Sequence, residues 1–220
     1  VVPATLLLVV VSIIPLLDGV YLAFTNTNLN TGADAWVGIQ NFVEIFQDSK
    51  FYQVFGFTIL YAFAVVLFSY ILGMLIALLL NQDIRFRGVF RAIILAPWVV
   101  PPVVATITWS WLLNDKVGLI NTVLQNIGMI QEPIYFLSDL TLAKGTVIAF
   151  GVWKSYPFMM ITLLAGMQSI DGVLYEAAKI DGAGKVKAFF HITMPMMKNI
   201  SFVCTILMFI WTINNFENIY

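Results

Sequence analysis

The chain has 220 residues, 60% of them hydrophobic and 10% charged, with a formal charge of −1 and a mean hydropathy of +0.92. A soluble domain carries about 25% charged residues, so the composition excludes an ordinary cytosolic globule, a disordered chain and a basic nucleic-acid binder. One cysteine and one histidine leave neither a disulfide framework nor a metal-ligand cluster. What remains is an all-α polytopic membrane protein.

Five apolar stretches of the right length to cross a bilayer follow one another, at about 1–24, 54–80, 92–113, 145–165 and 198–214. They are too many and too long for the buried helices of a soluble bundle this small. The first lacks the basic start and small-residue cleavage site of a signal peptide. The missing initiating Met, the odd number of spans and the abrupt end at Tyr220 lead to the expectation that both ends are cut.

Loop charge sets the orientation. The first and third loops hold Lys50, Lys116 and Lys144; the second and fourth hold Arg85, Arg87, Arg91, Lys179, Lys185, Lys187 and Lys198. The second and fourth loops are therefore expected in the cytoplasm, with Tyr220 outside. No repeat or linker divides the chain, which reads as one membrane domain.

Several residues depart from plain membrane helix. Pro97, Pro101 and Pro102 break the third stretch, giving either a simple kink or a break facing a water-filled path. Lys154 either faces a cavity or partner or snorkels outward. Asp18, past the middle of the first stretch, reads as interfacial. Trp98, Trp109, Trp111 and Trp153 are interface anchors or ligand platforms. The segment from Trp211 through Thr212, Asn214 and Asn215 to Glu217 either suits a polyol or marks the helix emerging into water.

The fourth loop, 167–195, reads as helix, glycine break, helix. Residues Val173 to Ile180 form the first helix, and Gly182 and Gly184 allow the turn. The helix resumes over Ala183 to His191, and Pro195 suits the first turn of the next span. Ala177, Ala178 and Ala183 keep the corner slim enough to dock in a groove. The motifs Glu176-Ala177-Ala178, Asp181-Gly182-Ala183 and Ile192-Thr193-Met194-Pro195 resemble the EAA loop of permease subunits of binding-protein-dependent ABC importers. Further phrases are similar in order along the chain: Trp36 to Phe42, Arg85-Phe86-Arg87-Gly88 with Arg91, Pro97-Trp98, Trp109-Ser110-Trp111, Gly118 to Asn121 and Leu164 to Gln168. Together they resemble the MalF-type carbohydrate permeases. Asp171-Gly172 stands where that family often has a proline, which would leave the helix start less fixed.

The resemblance implies five of the six core spans of an ABC permease, with the C-terminal span missing, in a bacterial or archaeal cytoplasmic membrane. It implies a second permease subunit, two ATPase subunits and an extracytoplasmic sugar-binding protein, with lipid around the spans. It implies no cofactor on this chain, ATP being used by the partner subunits. No G-x-x-x-x-G-K-[ST] occurs in the sequence, so ATP is expected to bind elsewhere, and the chain is expected to be a transport subunit without its own ATPase site rather than an enzyme. Tyr175, Glu176, Ala177, Ala178, Asp181, Gly182 and Pro195 are the implied ATPase-coupling residues. Ser155, Phe158, Trp211, Thr212 and Asn215 are placed near the sugar. Two alternatives remain: an ABC permease for another solute, such as glycerol phosphate or polyamine, and, remotely, a membrane-embedded enzyme. The latter lacks a base near Cys204.

Overall fold

The computed structural model describes residues 2–27 and 35–214. They belong to two compact units, Val1–Phe57 and Thr58–Tyr220.

In the first unit, α1 (Val2–Leu8) runs through a π-helical turn (Val9–Ile13) into α2 (Ile14–Ala23). Within the turn the Ile14 N–H bonds the Val9 carbonyl. The extra residue absorbs Pro15, which lacks a donor for the regular ladder. The Trp36-to-Phe42 phrase closes the end of α2. Val37 donates to the Phe24 carbonyl (2.9 Å) and Asn26 to that of Ala35 (2.8 Å). Phe24 stacks on Trp36 at 5.6 Å. The Asn41 side-chain amide donates to the carbonyls of Ala23 (2.9 Å) and Thr25 (3.0 Å). The last carbonyls of α2 thus gain the donors that a helix end lacks. Gly38, at φ +61°, makes the turn into α3 (Gln40–Gln47).

The second unit is built on α4 (Ser49–Leu80), which begins in the first, with α5 (Arg87–Val99), α6 (Pro102–Leu112), α7 (Leu119–Asn126), α8 (Leu140–Gln168), α9 (Gly172–Ile180), α10 (Lys185–Ala188) and α11 (Met194–Asn214). Among the described residues, four helices are long and apolar enough to cross a membrane: Thr5–Ala23, Ser49–Leu80, Leu140–Gln168 and Lys185–Asn214. At 1.5 Å per residue, α4 alone is about 48 Å long, against a hydrocarbon core of about 30 Å.

Small residues bring the long helices together. A Cβ on Gly73 of α4 would lie 2.7 Å from the Met159 Cβ and 2.9 Å from the Met160 N of α8. A Cβ on Gly166 of α8 would lie 2.8 Å from the Met197 Cε of α11. Without water to drive burial between apolar helices, such close backbone approach supplies the attraction. Met159, Met160, Leu163 and Met197 fill the resulting core. Tyr70 of α4 and Ser201 of α11 share a hydroxyl–hydroxyl hydrogen bond of 2.9 Å.

The sequence leads one to expect a single third span over 92–113. There α5 and α6 meet at 92°, as a broken span or a re-entrant loop, so the expected break at the prolines is a sharp one. Neither Pro101 nor Pro102 can donate to a preceding turn, and each crowds it. The chain also does not restart at Pro195. One helix runs over Lys185–Asn214, with a π-helical turn at Phe189–Thr193 in which the Met194 N–H bonds the Phe189 carbonyl. This is the device used before Pro15, placed here before Pro195.

Candidate functional site: a coupling helix, a capped helix break and an aromatic patch

The 167–195 loop is more tightly specified than its sequence suggests. Asp171 caps α9, its carboxylate accepting from the Val173 N–H at 3.0 Å. The departure from proline therefore does not loosen the helix start; a carboxylate cap replaces the ring. At the other end Gly182 takes φ +76°. The Ala183 N–H reaches back to the Ala178 carbonyl (2.8 Å) and the Gly182 N–H to that of Lys179 (3.1 Å). This paired arrangement is the Schellman stop, whose left-handed position favours glycine.

The coupling candidates separate into two groups. Glu176, Ala177, Asp181 and Gly182 are exposed on the outer face of α9, and Ala178 is half-buried. Ile180 stands beside them, 87% exposed. Tyr175 instead points inward. Its hydroxyl shares a 2.9 Å hydrogen bond with Thr193 Oγ1, in a cleft of about 250 Å³ shared with Leu78, Met167 and Phe189. Tyr175 ties α9 to the π-helical turn. Pro195, exposed one turn further on, is what that turn accommodates.

Lys154 neither faces an open cavity nor snorkels. It is 9% exposed, and its ammonium donates to the carbonyls of Pro97 (2.8 Å), Trp98 (3.5 Å) and Val100. The pattern follows from the break. In an unbroken helix the carbonyls of residues 97 and 98 would accept from the N–H groups of 101 and 102. Both of those residues are proline, so both carbonyls are orphaned, and Lys154 supplies the donors. The Tyr156 hydroxyl adds a bond to the Ile94 carbonyl (3.3 Å). In hydrocarbon an unsatisfied carbonyl costs several kcal/mol, so the lysine and the proline pair are one device.

Beside the break, Phe158 of α8 packs edge-on against Trp211 of α11 (5.0 Å) and lies 6.3 Å from Trp98 of α5. Trp98 and Trp211 remain 51% and 52% exposed. Three elements thus present one aromatic patch. Trp98 belongs with it, where the sequence alone allows either an interface anchor or a ligand platform. Its adjacency to Pro97 and the break is the signal that would have placed it. Ser155 is half-buried one turn away. Thr212 is buried, and its hydroxyl donates to the Met208 carbonyl of its own helix at 2.7 Å. Asn215 lies outside the described residues. Trp109 and Trp153 pack with Phe150, Trp109 at 5.4 Å from each, and so join α6 to α8 rather than anchoring at an interface.

The Gly118-to-Asn121 phrase is also a structural clasp. Buried Asn121 donates to the Ile134 carbonyl (2.9 Å) and accepts from the Ile134 N–H (2.9 Å), fixing the segment before α8.

Comparison with known proteins agrees with this architecture. A family model described as "Binding-protein-dependent transport system inner membrane component" matches residues 69–217. The trehalose/maltose transport system permease protein MalF of Thermococcus litoralis is 37% identical over 185 residues, 84% of this chain and 62% of its own length. The maltodextrin transport system permease protein MdxF of Bacillus subtilis is 33% identical over 99% of this chain and 53% of its own length. The chain thus spans between about half and two thirds of these relatives. A crystal structure of a bacterial ABC transporter that imports the acidic polysaccharide alginate superposes with a TM-score of 0.84, at 24% identity, over 96% of this chain and 71% of that one. That likeness establishes the fold. Several apolar spans, an extramembrane helix capped at both ends and a family match over well over half of the sequence lead to one conclusion: the chain is a multi-pass membrane protein and belongs to the family of inner membrane components of binding-protein-dependent transport systems.

Proposed function

We propose that this chain forms half of the membrane pathway of an ATP-driven sugar or oligosaccharide importer. A second permease subunit completes the pathway, two ATPase subunits drive it, and an extracytoplasmic binding protein delivers the sugar. The observation that carries the reading is α9: a short helix fixed at both ends, with Glu176 and Asp181 flanking an Ile180 that water solvates poorly. A rigid helix with an exposed apolar knob and acidic edges fits a groove in a partner with basic rims. Closure of the ATPases on ATP would move α9 as a rigid body. Tyr175, through Thr193, would pass that motion to the helix of Lys185–Asn214. ATP stays on the partners, and this chain adds no hydrolytic site of its own.

Sugar as the solute is supported by the names of the two permease relatives and by the Trp98–Phe158–Trp211 patch, since aromatic faces pack on sugar rings. An anionic solute such as glycerol phosphate would need a free cation. Lys154 is not free for that role, because its ammonium is engaged by the carbonyls of the broken helix.

Two measurements test the reading in the full-length protein with its neighbouring ATPase. With Cys204 replaced by alanine, a cysteine at the exposed Ala177 position is expected to crosslink to cysteines in the ATPase cleft, with a yield that changes on adding ATP. No crosslink from a correctly inserted protein overturns the coupling role of α9. Separately, Trp211→Ala is expected to lower sugar transport by about tenfold, the loss of one aromatic contact of about 1.4 kcal/mol, with ATPase assembly intact. Lost assembly with unchanged sugar selectivity would remove Trp211 from the pathway.

A further inference from the structure

A second cluster lies at the opposite end of α5 from the break. Arg87 and Arg91 are one turn apart on α5, so their side chains share a face. Both reach Gln168, the last residue of α8. With its amide oxygen turned toward them, Gln168 accepts from Nη2 of Arg91 (3.1 Å) and from Nη2 of Arg87. The guanidiniums carry ten N–H donors between them, and this single oxygen is neutral. Their Nε atoms are both buried without a hydrogen-bond partner. The nearest following carboxylate, Asp171, is committed to capping α9. Two like charges therefore meet on one neutral acceptor, which is unfavourable unless an anion shares the site.

The surroundings favour one kind of anion. α5 begins at Arg87 after Phe86, which has φ +64°, and no side chain caps it; the Val89 and Phe90 N–H groups bond the Phe86 carbonyl (2.9 and 3.3 Å), which leaves those of Arg87 and Gly88 at the helix start to face an anion. A Cβ on Gly88 would meet no atom within 4 Å, so the helix start is approachable. Loop charge places this end of α5 at the cytoplasmic interface, where the negative leaflet lies. Exposed Val89 and Phe90 flank the arginines with apolar surface.

We infer that Arg87, Arg91 and the start of α5 bind a phosphate group, carried by an anionic phospholipid of the cytoplasmic leaflet. Arginine suits phosphate because its planar fork can donate two parallel hydrogen bonds. The bound headgroup would neutralise both guanidiniums and hold the start of α5 to the end of α8. That end leads directly into α9, so the lipid would stiffen the base from which the coupling helix projects.

The test uses the full-length protein reconstituted in phosphatidylcholine vesicles containing either spin-labelled phosphatidylglycerol or spin-labelled phosphatidylcholine. The wild type is expected to enrich the anionic lipid at its surface. Arg87→Gln/Arg91→Gln is expected to lose that enrichment by about fivefold per arginine, whereas Lys185→Gln/Lys187→Gln keeps most of it. Arg87→Lys/Arg91→Lys retains charge and is expected to keep a reduced enrichment, which loss of folding alone would not permit. Equal enrichment in wild type and Arg87→Gln/Arg91→Gln overturns the site. Displacement of the labelled lipid by millimolar inorganic phosphate reassigns the same site to free phosphate and overturns the lipid as its source.

Discussion

Lys154→Met is expected to cost a few kcal/mol of stability and to abolish transport. Each buried acceptor left without a donor costs roughly 1–3 kcal/mol. The carbonyls of Pro97 and Trp98 would both be left so, because residues 101 and 102 have no N–H to offer. Relief from burying an ammonium offsets part of the loss. The decisive experiment is a double-mutant cycle. Pro101→Ala/Pro102→Ala restores two backbone donors, and α5 can then satisfy its own carbonyls. In that background Lys154→Met should cost at least about 1 kcal/mol less than in the wild type. Thermal unfolding in detergent reads the stability, and transport by the full-length complex reads the function. The Pro101→Ala/Pro102→Ala variant is expected to fold yet transport poorly, since the 92° bend would straighten. Strict additivity would show that Lys154 serves something other than the break.

This pairing also shows what the sequence could and could not disclose. Helical spans were legible because lipid rewards every apolar residue alike, so composition in a window suffices. The helix α9 was legible because its punctuation is local: residues 171 to 183 carry cap, helix and stop within one stretch. The role of Lys154 was not legible, because its partner carbonyl lies 57 residues away and no periodicity reports it. The same holds for Trp98, which joins Phe158 and Trp211 only once three helices have packed. The sequence does not disclose that the Thr212 hydroxyl bonds back to its own helix, as Ser and Thr often do where water is absent. The phrases Trp36 to Phe42 and Gly118 to Asn121, part of the resemblance to the carbohydrate permeases, also act as local clasps: each uses an asparagine amide to satisfy backbone carbonyls. Their recurrence in a family would reflect the need to close helix ends. They say little about solute.

Three features thus divide the work along the second unit. Lys154 holds the broken helix open beside the aromatic patch. Tyr175 and Thr193 connect the outer helix α9 to the long helix behind it. Arg87, Arg91 and Gln168 fix the base of both α5 and α8. Each is a polar contact between elements that otherwise meet through apolar packing, and in lipid such contacts are hard to exchange for others. Under the proposed function, motion of α9 would be passed on through these few polar joints.

The turn that shapes α9 is where the second large effect is expected. Gly182 and Gly184 look equivalent in sequence, but only Gly182 has a positive φ, of +76°; Gly184 sits at φ −71°. A Cβ at either would meet nothing within 4 Å, so sterics with neighbours do not distinguish them and backbone strain does. Gly182→Val forces a β-branched residue into the left-handed region at a cost of roughly 1–2 kcal/mol, enough to lower the ratio of native to misdirected turn about tenfold. Transport should fall by a similar factor, and transported sugar per ATP hydrolysed should fall with it, because a misdirected α9 cannot convey ATPase closure. Gly184→Ala should be nearly silent. Gly182→Asn separates two explanations. Asparagine tolerates the left-handed region, so it should retain most transport if conformation is what glycine supplies. If Gly182 instead serves to let an ATPase surface approach, asparagine is as bulky an obstacle as valine, and both should fail alike.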